Sequence, residues 1–282
     1  MIEIPMAGTL YLVATPIGNL NDMSPRAVET LRSVDIIACE DTRHSRKLLD
    51  HFAISKKLVS YHEHNEEARS DEFLRLLENG HSVAVISDAG TPAVSDPGSR
   101  LVTKAIKTGV NVVPIPGPVA FVCAAIVSGL PTDALFYGGF LPARSGERRR
   151  RLEETKEIPA TLIFYESPHR LSKSLLDCAA VLGPRDAAVV REMTKIHEEA
   201  IRMNLGSLAE HFAVTPVKGE IVIVIGRGVN GPAIDAGYDL ASIVRRLESE
   251  GMDRRAAIKR AAKDAGLSRS EVYRRLQAER SK

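Results

Sequence analysis

The residues best suited to chemistry lie in one twelve-residue stretch, Ser87-Asp88-Ala89-Gly90-Thr91-Pro92-Ala93-Val94-Ser95-Asp96-Pro97-Gly98. Glycine lets a backbone approach a ligand closely and proline holds that approach fixed, so two of each here describe a rigid binding loop. Asp88, at its start, is placed to accept hydrogen bonds from a ribose or an amine. A surface turn draws on the same residue types, but seldom strings so many constrained ones together.

The elements around this loop give it a position. It follows the apolar run Val83-Ala84-Val85-Ile86, which reads as a short buried strand, and precedes 99–108, which reads as a helix. In open α/β sheets, ligands bind at this place, outside the carboxyl ends of the strands. The same pattern recurs through the first half. A strand at 9–14 runs into Thr15-Pro16-Ile17-Gly18-Asn19-Leu20, and one at 35–39 ends in Glu40-Asp41-Thr42-Arg43-His44. A strand at 58–60 leads to Tyr61-His62-Glu63-His64-Asn65-Glu66, and one at 111–113 to Pro114-Ile115-Pro116-Gly117-Pro118. Between them lie a helix capped by Ser24-Pro25 and another with Phe73, Leu74 and Leu77 on one face, closed by Gly80. Strands alternating with helices form a mainly parallel sheet. Such a sheet brings Ile17, Asp41, His62, Asp88 and Gly117 to one rim.

The second half repeats the plan after the stretch at 131–142 and a basic linker or lid at about 142–152, which holds Arg144, Arg148, Arg149, Arg150 and Arg151. A strand at 161–165 ends in Glu166-Ser167-Pro168-His169-Arg170 and is followed by a helix at 171–181. A strand at 187–191 ends in Glu192-Met193-Thr194-Lys195, and 221–225 forms the last strand. A Gly/Pro/Asn-containing linker, 228–237, leads to helical stretches at 240–249, 254–264 and 269–278. Ala265-Gly266-Leu267-Ser268 between the last two reads as the turn of a helix-turn-helix. The expected division is 1–117 and 118–228 for two α/β domains, and 229–282 for a linker and small helical domain.

Composition narrows the class. The chain of 282 residues is 44% hydrophobic and 26% charged, as in soluble globular proteins. Cys39, Cys123 and Cys178 are odd in number and widely spaced, which argues against a disulfide framework or zinc site and fits the cytoplasm. The beginning, Met1-Ile2-Glu3-Ile4-Pro5, lacks the features of a signal peptide. The longest apolar run, 119–127, is too short to span a bilayer, so no membrane partner is expected. Residues 241–282 carry twelve Lys and Arg against six Asp and Glu, a net of +6, which leaves 26 against 30, a net of −4, for the rest. A basic tail on a near-neutral body points to a polyanionic partner. There is no G-x-x-x-x-G-K-[ST], no G-x-G-x-x-G after a strand, no G-x-S-x-G and no H-E-x-x-H. His62 and His64 beside Glu63 and Glu66 admit a metal, but solvated or nucleic-acid contacts suit a loop better, and no metal is expected.

Taken together and in order, Thr15–Leu20 (TPIGNL), Glu40–Arg43 (EDTR), Ser87–Gly98 (SDAGTPAVSDPG), Pro116–Pro118, Ser128–Thr132 (SGLPT) and Tyr165–Arg170 (YESPHR) resemble the ribosomal RNA small subunit methyltransferase I family over residues 8–228. The resemblance implies an α/β fold of the tetrapyrrole-methylase (class III methyltransferase) type, with a C-terminal helix-turn-helix extension. It implies 2′-O-methylation of a cytidine in 16S rRNA with S-adenosylmethionine, and the small ribosomal subunit as partner. DNA is not implied, and a homodimer is compatible. By the same resemblance the cofactor would lie against Ile17, against Asp88, Ala89, Gly90 and Thr91, against Val119 and Ala120, and against Glu166 and Met193 of the second domain. Tetrapyrrole methylases have a glycine-richer loop in place of Ala14-Thr15-Pro16-Ile17-Gly18 and Gly-Asp-Pro in place of Ser87-Asp88-Ala89. Both departures match the RNA family.

Methyl transfer to a ribose hydroxyl needs the sulfur, methyl and attacking oxygen in line, and a group to remove the hydroxyl proton. Glu166, His169 and Asp41 are candidate bases, and Arg43 and Arg170 candidate phosphate clamps. Each equally suits a hydrogen-bonded structural role at a strand end. Two other readings stand beside this one: a methylase of a small tetrapyrrole-like substrate on the same fold, and a non-enzymatic nucleic-acid-binding regulator.

Overall fold

The computed structural model describes residues 8–228 and 240–264, together with Val272, Tyr273 and Leu276. Residues 8–155 and 160–226 belong to one compact unit; Lys156–Pro159 and the described residues from Arg227 onward form a second.

The first unit begins with β1 (Thr9–Val13), α1 (Pro25–Ser33), β2 (Ile36–Cys39), α2 (Thr42–His51), β3 (Lys57–Ser60), α3 (Glu66–Glu78), β4 (Val83–Ile86), α4 (Ser99–Lys107) and β5 (Asn111–Ile115). The strands form an all-parallel sheet in the order β3-β2-β4-β1-β5. The central strands β2 and β4 are buried at every position, as expected where helices cover both faces. One layer packs Leu31, Ile37, Leu49 and Ile86; the other packs Phe73, Leu77, Val85 and Leu101. Pro114 fits within β5 because that strand lies at the sheet's edge. Ser24 caps α1 as expected, its hydroxyl accepting from the Ala27 N–H at 3.1 Å with Pro25 at the first helical position.

The chain continues through α5 (Ala120–Ser128), β6 (Leu135–Phe140), α6 (Ser145–Thr155), β7 (Thr161–Glu166), α7 (Leu171–Leu182), β8 (Asp186–Arg191), β9 (Glu199–Asn204), α8 (Leu205–Val214) and β10 (Ile221–Ile225). The second sheet has the order β6-β7-β10-β8-β9, with β6 and β7 parallel and every other pair antiparallel. Because β10 runs against its neighbours, its first residue, Ile221, pairs with both Glu166 and Arg191. The carboxyl ends of β7 and β8 and the start of β10 therefore share one edge. Ile17, from the loop after β1, packs with Ala124, Ile163, Val190, Met193 and Val222. That contact ties the first sheet's loop to the second sheet's core.

The sequence pattern shows no strand at 135–140 or 199–204, and it presents about 142–152 as a basic linker or lid. Most of the stretch instead belongs to α6, and Arg148 is only 3% exposed. Its Nε donates to Asp177 at 2.8 Å, and its Nη1 donates to the Pro142 and Ala143 carbonyls, both at 3.0 Å. Arg149 and Ser145 complete the surroundings of the Asp177 carboxylate. Burial would raise the pKa of Asp177, but hydrogen bonds from Arg149, Ser145 and Arg148 outweigh it and hold the carboxyl below its ordinary range.

In the second unit, α9 (Leu240–Ser249) and α10 (Arg254–Asp264) share a small core of Leu240, Val244, Leu247, Ala257, Ile258 and Ala261, joined by Val272 and Leu276. Asp253 caps α10 by accepting from the Arg255 and Ala256 N–H groups. The turn at 265–268 lies outside the described residues, and so does most of the helix expected at 269–278. Among the described residues, no helix is long and apolar enough to cross a membrane.

Breaking a buried ion pair from one side strands the other charge, at a cost of about 3–5 kcal/mol. Arg148→Ala should lose stability of that order in denaturant unfolding. Arg150→Ala, at an exposed position of the same helix, should stay within about 0.5 kcal/mol of wild type.

Candidate active site

All five loops at the carboxyl edge of the first sheet point the same way, but only some reach the site. Strand order reverses between β4 and β1, and there the loop after β1 meets the loop after β4. Thr15 N–H donates to the Gly90 carbonyl at 2.8 Å, and Gly90 N–H returns to Thr15 at 3.1 Å, forming a two-residue antiparallel bridge. The buried Thr15 hydroxyl donates to the Ser87 carbonyl at 3.0 Å, and the Ser87 hydroxyl donates to Gly90 at the same distance. Gly90 has φ +86°, and a Cβ there would lie 3.3 Å from the Ile17 side chain. Glycine at 90 is thus required both by backbone conformation and by the approach of Ile17.

The far end of the large loop is held by a different device. Glu66 of α3 is 8% exposed, and its Oε1 accepts from the Gly98 N–H at 3.0 Å and from the Tyr61 hydroxyl at 3.2 Å. Midway, the Ser95 hydroxyl meets the Tyr137 hydroxyl of β6 at 2.6 Å, a hydrogen bond from the first sheet's loop to the second sheet. Tyr137 stacks on Phe121 at 4.3 Å and meets Tyr165 edge-on at 5.1 Å. Ala93 and Ser95 adopt φ of +66° and +62°, which is unusual outside glycine and marks a strained segment.

The loops enclose a cleft of about 390 Å³. The first sheet contributes Ile17, Asp88, Ala89, Gly90, Thr91, Asp96, Val119 and Ala120; the second contributes Tyr165, Glu166, Met193, Gly219, Ile221 and Val222. Every cofactor-side residue expected from the sequence lines this cleft: Ile17, Asp88, Ala89, Gly90, Thr91, Val119, Ala120, Glu166 and Met193.

The candidate bases and clamps sit differently. Asp41, Arg43, His169 and Arg170 are absent from the cleft lining. Asp41 is exposed and caps α2, accepting from the Arg43 N–H at 2.7 Å and the His44 N–H at 3.4 Å; those bonds lower its pKa. His169 is exposed. Glu166 is buried and engaged from three sides: its Oε1 accepts from the Ser167 N–H at 2.7 Å and pairs with Arg170 at 2.6 Å, while its Oε2 accepts from the Ser174 hydroxyl. These contacts join Glu166 and Arg170 to the turn after β7. His62 contacts Asn65 at 3.2 Å through Nε2. Among the described residues no group of three or more His, Cys, Asp and Glu is placed to hold a metal.

Asp96 is not distinguished by sequence pattern from the other polar residues of its loop. It lines the cleft, and burial, with Glu40 and Asp88 nearby, pushes its pKa up to about 6. Glu40 is raised too, by burial first and by Asp88 next. The only signal is in the loop itself, whose Ser-Asp pair occurs twice, at 87–88 and 95–96.

This architecture, two sheets whose strand ends close one cleft, is that of a class III methyltransferase. A family model described as Tetrapyrrole (Corrin/Porphyrin) Methylases matches residues 9–209. Crystal structures of a diphthine synthase (TM-score 0.62, 16% identity, 78% of this chain and 90% of that one) and a cobalt precorrin-4 methyltransferase (TM-score 0.57, 17% identity, 77% and 94%) share the fold. The protein named Ribosomal RNA small subunit methyltransferase I from Halalkalibacterium halodurans is 47% identical over 94% of this chain and 93% of its own length. The protein of the same name from Mesorhizobium japonicum is 50% identical over 96% and 92%. The chain belongs to the ribosomal RNA small subunit methyltransferase I family, within the tetrapyrrole methylases.

A side chain at position 90 tests the stitched loops. Gly90→Ala should cost about 1–2 kcal/mol in denaturant unfolding, the price of left-handed backbone in an L-residue. Gly146→Ala, where a Cβ meets nothing within 4 Å and the backbone is helical, should be neutral or stabilising by up to about 1 kcal/mol.

Proposed function

We propose that this enzyme transfers a methyl group from S-adenosylmethionine to the 2′-hydroxyl of a cytidine in 16S rRNA, acting on the small ribosomal subunit in the cytoplasm. The observation that carries this reading is the cleft lined from both sheets, in a chain 50% identical to a relative named Ribosomal RNA small subunit methyltransferase I.

The residues present fit the cofactor. A cleft of about 390 Å³ lies in the size range of small-molecule sites. Ile17, Val119, Met193 and Val222 offer apolar walls to an adenine, and Asp88 offers an acceptor to a ribose or ammonium group. The carboxylate of Asp88 suits a ligand that carries positive charge. When bound, the cofactor supplies a methyl group already activated by its sulfonium. Alignment, exclusion of water and removal of the acceptor's proton are left to the chain. Arg43, exposed at the start of α2, is our phosphate contact at the rim. Glu166 and Arg170 act together as the brace that presents the turn after β7.

The helices of the second unit are our RNA-docking element, supported by the exposed Arg255 and Lys259 on α10. The reading also carries a homodimer, supported by the apolar residues Val122 and Ile126 left exposed on α5.

Labelled cofactor and isolated small subunits, followed by nucleoside analysis, test the reaction: the label should appear in 2′-O-methylcytidine and in no base-methylated nucleoside. Asp88→Ala should weaken cofactor binding in calorimetry by at least about tenfold, or about 1.4 kcal/mol, with the melting temperature near wild type. Replacing Arg255 and Lys259 by Glu should lower affinity for the small subunit and flatten its salt dependence by about two counterions, with cofactor affinity unchanged.

A further inference from the structure

We propose that Asp96 is the carboxylate that takes the proton from the substrate hydroxyl, with Ser95 and Tyr137 holding it at the cleft. The inference rests on the reading that the acceptor is a hydroxyl, and it names the base that reading leaves unassigned.

Of the acidic residues that line the cleft, Glu166 is engaged by Ser167, Ser174 and Arg170, Glu220 pairs with Lys195, and Asp88 accepts from the Asp41 N–H at 3.3 Å. No hydrogen bond or ion pair among the described residues engages the Asp96 carboxylate, which is therefore available to an incoming proton.

The position is built rather than incidental. On one side of Asp96, Ser95 is held in a left-handed conformation by its 2.6 Å bond to Tyr137. On the other, the Gly98 N–H is anchored by buried Glu66, and Ala93 N–H donates to the Pro97 carbonyl at 3.3 Å. Three anchors and two strained non-glycine residues fix a carboxylate where water alone would leave it mobile. Strain of this kind is retained where function needs it.

Its surroundings set its basicity. The groups facing Asp96 are Glu40 after β2, Asp88 after β4, Tyr137 of β6 and Tyr165 of β7. Burial, helped by the two negative charges among them, pushes its pKa up to about 6. A base of that strength is ionised at neutral pH yet a better proton acceptor than an ordinary carboxylate. In the step, an oxygen lone pair of the hydroxyl forms the O–C bond to the methyl carbon. The C–S bond breaks with its electron pair going to sulfur. The hydroxyl proton passes to Asp96 and from there to water.

Asp96→Asn is the test, in three readouts. Single-turnover methyl transfer should fall by at least about 100-fold, while calorimetry gives cofactor affinity within about threefold of wild type. In wild type the rate should fall away below about pH 6, and that acid limb should vanish in the variant's residual activity. Stability should move the other way. The folded pKa lies above the ordinary 3.8, so the stability that Asp96 contributes is complete below that value and is lost as pH rises through about 6. Asparagine mimics the protonated form, so the variant should melt above wild type at about pH 8, with the gap closing below about pH 4. A wild-type transfer rate in Asp96→Asn overturns the proposal, as does a slowed variant that keeps the acid limb. A variant less stable than wild type at about pH 8 also overturns it, because that outcome assigns Asp96 a structural role. Nucleoside analysis of the wild-type product separates the two levels: absence of a 2′-O-methyl product defeats the functional reading, whereas its presence with an unaffected variant defeats only the assignment of Asp96.

Discussion

The pair of hydrogen bonds between Thr15 and Gly90 is the constraint on which the rest of the site depends. It joins two loops that leave adjacent strands at the point where strand order reverses, and it is too short to be a sheet. With the Thr15 and Ser87 hydroxyls satisfied inside it, the junction carries no buried unpaired polar group. One consequence is that Gly90 lies close against Ile17. Another is that Ile17 can reach across to Met193 and Val222, so the two sheets are tied at the same place where the ligand cleft opens.

The half-buried and buried carboxylates of the first unit divide by how their charge is met. Glu66, Glu166 and Asp177 are buried and satisfied by donors, and each fixes a segment of backbone: the loop end at Gly98, the turn after β7, and the start of α6. A satisfied buried carboxylate is a rigid fixture, since removing any donor leaves a charge without compensation. Asp96 is the opposite case. Burial first, and then the like charges of Glu40 and Asp88, disfavour its ionised form. Groups left in such tension are characteristic of sites that handle protons or bind cations.

As a methyltransferase of this family, the protein leaves bond-making chemistry to its cofactor and spends its structure on alignment. The junctions after β1, β4, β5, β7 and β8 supply walls of the cleft, and aromatic contacts among Phe121, Tyr137, Phe140 and Tyr165 stiffen the side formed by the second sheet. Stiffness matters because an in-line displacement tolerates little misplacement of its reacting atoms.

Local patterns were enough to establish the first sheet. Short apolar runs such as Val83-Ala84-Val85-Ile86, each closed by glycine, proline or acid, are strands wherever they fold, and their alternation with helices leaves a parallel sheet with its loops on one rim. The loop at 87–98 was legible for the same reason, since its constrained residues act over a few neighbours. Less was legible beyond residue 130. β9 (EAIRMN) is a charged edge strand, and β6 contains two glycines, so neither shows a clear period; both are strands because a neighbouring strand offers partners. Arg148 reads as one of four equivalent basic residues until Asp177, nearly thirty positions away, is brought against it. The same holds within the site. A sequence displays Asp41, Asp88, Asp96 and Glu166 as four acids in polar loops, whereas burial, donors and neighbouring charge decide that one caps a helix, one braces a turn and one is left free. Those are long-range properties, and only the tertiary structure sets them.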